Sequence, residues 1–298
     1  MTFKEMCASF GLLPSTADRL VSLVRPSIRL TGFDYDEAAT NRLGGRPNLP
    51  SGSEWPSYRG SALGFVAQLD LASLAPAGSG QCPEWANGLS ALPLPPSGVL
   101  YFFFAGTDGS LGYGPEEWRV LYSEGSLVRM PLREWPDGFE DVCKLKPVRL
   151  AVEFVERTLP GGGDPALASA ALTAEEREIY VAMKEVFDEN RPQPARRLGG
   201  YPDLILKNLD WQKSWDENRP LGMHRIGGYP DYIRHDPKAE ADQEAPRNGS
   251  AWQLLFQVDS EESASICWGD AGRLYFLVRH DDLLSRSFEN TWLVADCH

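Results

Sequence analysis

Two segments of this 298-residue chain set a carboxamide two residues before a carboxylate, Gln68-Leu-Asp70 and Gln257-Val-Asp259, and Trp268-Gly-Asp270 adds an aromatic and a further acid. Carboxylates gathered in one cleft could do general acid–base work, so Gln68, Asp70, Gln257, Asp259, Trp268 and Asp270 form the candidate polar cleft. The plainer reading of the same residues is hydrogen bonding at turns and strand ends. Other chemistries find less support. A metal site needs converging His, Cys or carboxylate ligands, and His224, His235, His280 and His298 show no such spacing, so neither a metal nor a cofactor is expected. His224 and His235 flank a Gly-Gly-Tyr-Pro turn and read as solvated loop residues.

No Gly-x-Ser-x-Gly elbow is present, and Cys297-His298 are adjacent, so on a continuing strand they would point to opposite faces. Cys297 reads better as a buried structural thiol. The phosphate-binding Gly-x-x-x-x-Gly-Lys-Ser/Thr loop is missing, which disfavours nucleotides.

The elements that would position these groups are mixed. Phe3 to Phe10 and Ser15 to Val24, with Ser15 as N-cap, read as helices ending before Pro26. Ser27 to Leu30 and Leu63 to Leu69 read as strands, and Leu71 to Leu74 as helix-like. The unbroken apolar run Val99-Leu-Tyr-Phe-Phe-Phe104 suits a central strand covered on both faces. Further strands are expected at 118–122, 148–154, 252–258, 273–278 and 291–295, with a short helical turn at 281–285. Thr173-Ala-Glu-Glu176 has the capping-box form, and Ile179, Met183, Val186 and Phe187 follow on one helical stripe. Without a regular βαβ rhythm, the expected fold is α+β with mostly antiparallel sheet.

Repetition decides the organisation. Arg42-Leu-Gly-Gly-Arg-Pro-Asn48, Phe65-Val-Ala-Gln-Leu-Asp70 and Gly98-Val-Leu-Tyr-Phe102 return in order as Arg225-Ile-Gly-Gly-Tyr-Pro-Asp231, Leu255-Phe-Gln-Val-Asp259 and Gly272-Arg-Leu-Tyr-Phe276. The expectation is an internally duplicated chain of pseudo-two-fold halves: a helical segment at 1–30, a first half at 31–160 and a second at 161–298. Within the second half a tandem repeat at about 188–243 doubles Asp188-Glu-Asn-Arg-Pro192 as Asp216-Glu-Asn-Arg-Pro220 and Arg197-Leu-Gly-Gly-Tyr-Pro-Asp203 as the 225–231 segment. The paired glycines permit positive φ and the proline fixes a bend, so each segment should be a tight turn turning an aromatic or basic side chain outward. Its amides could also form an anion nest.

The charge of −13 and pI near 4.8 disfavour nucleic acid and anionic membranes and favour basic partners. Five scattered cysteines without a Cys-x-x-Cys pair, no signal-like start and no spanning apolar run suggest a reduced, cytoplasmic protein.

The blocks at 42–50 with Trp55-Pro56, the strand ending Gln68-Leu-Asp70, the 225–231 turn, and above all Trp268-Gly-Asp-Ala-Gly-Arg-Leu-Tyr-Phe276 with Asp281-Asp-Leu283, Phe288-Glu-Asn290 and Trp292 resemble the YwqG-like family. The resemblance covers about residues 40 to 298. It implies bacterial cytoplasmic α+β proteins without an agreed activity, some similar to immunity proteins beside polymorphic toxins. The doubled 28-residue segment departs from the family. The first expectation is therefore a binding protein that occludes a basic partner, plausibly a toxin, through an acidic, aromatic surface: Tyr201, Asp203, Trp211, Trp215, Tyr229 and Asp231. A hydrolase or transferase using the polar cleft is the alternative, and a self-associating scaffold with an apolar patch the third.

Overall fold

The computed structural model describes residues 2–74, 92–108, 114, 116–127, 130–189, 224–246 and 250–298. Its strands are β1 (Arg25–Tyr35), β2 (Arg42–Leu43), β3 (Ser57–Tyr58), β4 (Ser61–Ala62), β5 (Gly64–Asp70), β6 (Val99–Phe104), β7 (Trp118–Ser123), β8 (Val148–Thr158), β9 (His224–Ile226), β10 (Trp252–Asp259), β11 (Arg273–Arg279) and β12 (Trp292–Asp296). Its α-helices are α1 (Phe3–Ser9), α2 (Pro14–Val21), α3 (Leu71–Leu74), α4 (Ala174–Glu189), α5 (Pro237–Glu244) and α6 (His280–Leu284). β3 and β4 form a small hairpin beside the main sheet.

The fold is α+β. Ten strands make one antiparallel sheet in the order β12-β11-β10-β9-β1-β8-β2-β5-β6-β7. Its two ends curl toward each other into a nearly closed barrel. Phe102 on β6 packs 4.9 Å from both Phe256 and Phe276 on β10 and β11, and Trp118 on β7 meets Trp292 on β12 at 5.1 Å. Indole Nε1 of Trp118 donates to the Thr291 carbonyl at 2.8 Å, so side chains rather than a strand ladder span the seam.

Strand alternation explains why β6 is entirely buried. Leu100, Phe102 and Phe104 enter the core enclosed by the curled sheet, while Tyr101 and Phe103 enter a second core on the outer face with Leu49, Leu63 and Phe65. The expectation of cover on both faces therefore holds, but β6 stands second from the edge rather than centrally, because the outer loops supply its second cover.

Read outward from β1 and β8, the two arms match. β9-β10-β11-β12 flank β1 as β2-β5-β6-β7 flank β8. The registers correspond too: Arg225 faces Gln257 as Arg42 faces Gln68, and β10 and β5 each carry a register shift, Leu254/Phe256 and Phe65/Ala67.

Several boundaries differ from expectation. α2 starts one residue before Ser15, with Leu13 at the N-cap and Pro14 pre-set for the first turn, and it ends at Val21. β1 extends well beyond Ser27–Leu30 because β8 pairs with it from Arg25 to Tyr35. α4 has the expected capping box, Thr173 Oγ1 accepting from Glu176 N–H and Glu176 accepting from Thr173 N–H. Its stripe turns slightly: Met183 and Tyr180 are buried against α1 and α2, whereas Val186 is exposed.

Candidate functional site

The two Gly-Gly turns are built alike. Gly44 and Gly45 after β2 have φ of 56° and 70°, and Gly227 and Gly228 after β9 have 68° and 74°. A Cβ on Gly44 would fall 2.4 Å from the Lys146 carbonyl oxygen, and one on Gly228 2.5 Å from Thr158 Oγ1. Conformation and space thus both require glycine. The neighbouring strand then grips each turn. Gln68 Oε1 accepts from Asn48 N–H and Gln257 Oε1 from Asp231 N–H, both at 3.0 Å. Tyr101 donates to the Asn48 carbonyl at 2.5 Å and Tyr275 to the Asp231 carbonyl at 2.6 Å. Arg42 reaches Asn48 Oδ1 at 3.0 Å and Arg225 reaches Asp231 Oδ1 at 3.1 Å.

One chemical difference separates the copies. Among the described residues Arg42 bonds to carbonyls and Asn48, and burial pushes its guanidinium down to about 10. Arg225 instead joins a buried string of alternating charge. Glu156 lies 3.7 Å from Arg29 and 2.9 Å from Arg225; Arg225 lies 2.7 Å from Asp231; Arg273 lies 4.0 Å from Asp231 and 3.1 Å from Asp259. Burial works against the charge on Arg273, but Asp259 and Asp231 hold its pKa above the usual value. Such a string fixes β1, β8, β9, β10 and β11 relative to one another; its members are buried apart from the partly exposed Asp231, and each carboxylate is taken up by an arginine.

The expected polar cleft does not assemble. Gln68 shares a face with its register partner Tyr101, on the outer core, and Gln257 shares one with Tyr275, on a different outer cluster with Leu254 and Leu277. The aromatic core of Phe102, Phe256 and Phe276 separates them. Asp259 is bound to Arg273, Trp268 is core, and Asp270 is exposed on its own turn. Asp70 caps the start of α3 through Ala72 N–H.

Other candidates are relocated as well. Tyr229 points inward, buried with Lys238 4.8 Å over its ring, because Thr158 Oγ1 accepts its N–H and draws the turn onto the sheet; burial pushes its hydroxyl up to about 12. Asp231 belongs to the ionic string. Tyr201, Asp203, Trp211, Trp215 and most of the doubled segment lie outside the described residues. His224 is no solvated loop residue: it opens β9, fully buried, its Nδ1 accepting from Asp259 N–H at 3.2 Å and its Nε2 3.7 Å from Glu261. The first turn leaves no anion nest, since Gly44 and Gly45 N–H donate to the Val66 and Leu145 carbonyls. β12 stops at Asp296, and Cys297 beyond it is half-buried. Among the described residues no cluster of His, Cys and carboxylates could hold a metal.

What remains is surface. The connection from β7 to β8 places Trp135 and Phe139 in a stack at 5.0 Å, and Trp55 packs on both at 5.5 and 6.0 Å while touching core Phe103 at 5.6 Å. All three are half-buried, and exposed Glu54, Glu134, Asp137, Glu140 and Asp141 surround them in sequence. Arg46 pairs with Glu134 and Lys144 with Asp141, leaving Glu54, Asp137 and Glu140 without a basic partner among the described residues. The signal for this patch was the aromatic pair bracketing a turn in Trp135-Pro-Asp-Gly-Phe139, which the strand and repeat patterns pass over. Beside it a groove of about 430 Å³ runs from Pro50 and Glu54 along β7 to Arg286, Phe288 and Glu289.

A nearly closed antiparallel barrel, two glycine turns locked by buried glutamines and an acidic aromatic surface define the described part of this protein. The sequence pattern of a family described as a domain of unknown function (DUF1963) matches residues 41–297, and the chain belongs to that family. No curated protein matches it. No helix among the described residues is long and apolar enough to cross a membrane.

Proposed function

We propose that this protein is a partner-binding module whose half-exposed aromatic cluster, Trp55, Trp135 and Phe139, anchors a basic protein. The observation that carries the reading is that cluster together with the carboxylates Glu54, Asp137 and Glu140, which have no basic partner among the described residues. Rigid aromatics bury much area at low entropic cost, and complementary charge speeds encounter and selects the partner. The net charge of −13 gives the long-range field for a basic partner and against nucleic acid. Occlusion of a toxin in a bacterial cytoplasm, as in the immunity-like members of the YwqG-like group, is the use that fits such a binder.

The matching arms of the sheet support descent from a duplicated unit. In that reading β8 is the counterpart of β1, which moves the start of the second half from 161 back to about 148. The hydrolase or transferase alternative loses its motivation, since Gln68, Gln257, Asp70 and Asp259 are bonded within their own arms and Asp270 stands apart on an exposed turn.

The test is affinity capture by the tagged full chain from its native cells at low and high salt, beside a variant with Asp137→Lys and Glu140→Lys. A single stoichiometric basic protein, weakened by salt and absent with the variant, is expected. Recovery of the chain alone at both salts, or capture unaffected by the variant, would overturn the reading.

A further inference from the structure

Four consecutive residues of β7, Val120, Leu121, Tyr122 and Ser123, line the same groove. Neighbouring side chains of a strand point to opposite faces, so a groove that touches all four runs along the strand's edge and meets its backbone. Among the described residues β7 is the last strand of the sheet, paired with β6 alone. The ladder fixes which groups face outward. Ala105 N–H donates to the Glu117 carbonyl at 2.8 Å, so alternation turns the amides of Arg119, Leu121 and Ser123 toward β6 and those of Val120 and Tyr122 toward the groove. No described group bonds to the outward N–H or carbonyl of Val120 or Tyr122. Val120 is buried while Tyr122 and Ser123 are half-buried, so the Tyr122–Ser123 end is the part of the edge that an incoming segment can reach.

The groove's walls say what kind of partner. Leu49, Pro50 and Phe288 give it apolar sides, and exposed Glu54 and Glu289 sit along it. The one basic lining group, Arg286, is ion-paired with Glu124. We infer that the free edge of β7 is a strand-addition site for an extended, basic segment of the bound protein, main-chain pairing giving affinity and the two glutamates selecting cationic side chains. The inference rests on the partner-binding reading and adds where and how the segment sits. Native sheets shield such an edge by short strands, charge or cover, and here the shield at Tyr122 and Ser123 is incomplete.

The test uses the full chain labelled with ¹⁵N and a blocked hexapeptide alternating lysine and valine. A second peptide, N-methylated at its internal amides, keeps the charge but has no internal main-chain N–H donors. The first peptide should shift the Tyr122 amide saturably and slow its hydrogen exchange at least tenfold. The methylated peptide should bind at least tenfold more weakly, and Glu54→Lys with Glu289→Lys should weaken the first peptide by a similar factor. Equal binding of the two peptides, shifts confined to Trp55, Trp135 and Phe139, or exchange protection of the Tyr122 amide before any peptide is added would overturn the inference. Entry of the peptide into the groove of a chain that captures no protein from its cells would sink the partner-binding reading alone.

Discussion

Replacing Glu156 by Gln removes one charge from the buried string and keeps its shape. Glu156 is 5% exposed and sits between Arg29 at 3.7 Å and Arg225 at 2.9 Å. At these separations and an effective dielectric near 20, each attraction is roughly 4–6 kcal/mol before desolvation is subtracted. The string balances three guanidiniums, Arg29, Arg225 and Arg273, against Glu156, Asp231 and Asp259, so the variant leaves a buried positive excess. Removing one partner of a buried pair typically costs about 3–5 kcal/mol, a large share of a domain's 5–15 kcal/mol. Urea unfolding followed by tryptophan fluorescence should show a loss in that range. Adding Arg29→Met should recover at least about 1 kcal/mol, because the excess charge goes with it. A Glu156→Gln protein within about 1 kcal/mol of the parent would refute the view that this string organises the five strands.

Gln257→Ala leaves the Asp231 N–H without its acceptor inside the fold and should cost about 1–3 kcal/mol in the same assay, with Gln68→Ala costing a similar amount through Asn48; a loss at one site and none at the other would break the equivalence of the turns. Burial alone would raise the Glu261 carboxyl, but His224 at 3.7 Å and bonds from Ser263 hold it below its usual 4.5. A depressed carboxyl contributes stability that is present above its unfolded value and lost as pH falls through its folded one, so unfolding measured below about pH 4.5 should have a shallower acid limb in Glu261→Gln; identical limbs would contradict this. Burial pushes the Cys7 thiol up to about 11, whereas Cys267 is exposed, so a thiol reagent at pH 8 should label Cys267 at once and Cys7 only on unfolding, as peptide mass mapping would report.

Much of the fold was legible because apolar periodicity reports burial directly. The runs at Val99–Phe104, Trp252–Val258 and Arg273–Val278 and the capped helix at Thr173 fall where the pattern placed them. β2 and β9 were hidden, since strands of two or three residues carry no period; their Arg-x-Gly-Gly signature read only as a turn. The outward placement of Tyr229 failed because Thr158, distant in sequence, accepts its N–H and fixes the turn against the sheet. The polar cleft failed for a related reason. A Gln-x-Asp pair looks the same whether it faces solvent or reads a neighbouring backbone, and only the register with Arg42 and Arg225 shows the second. Of the aromatic patch the sequence showed only the Trp135–Phe139 pair, because Trp55 is far away in the chain and meets them only when the outer loops fold onto β6.

The proposed role of the Trp135 surface is to hold a basic partner. Its most direct test is calorimetric titration of the purified captured protein into the parent chain and into Trp135→Ala, with urea unfolding run on both to confirm that the variant is folded. Affinity should be at least about thirtyfold weaker for the variant, equivalent to loss of an anchor worth roughly 2 kcal/mol. Equal affinity with both folded proteins would contradict it.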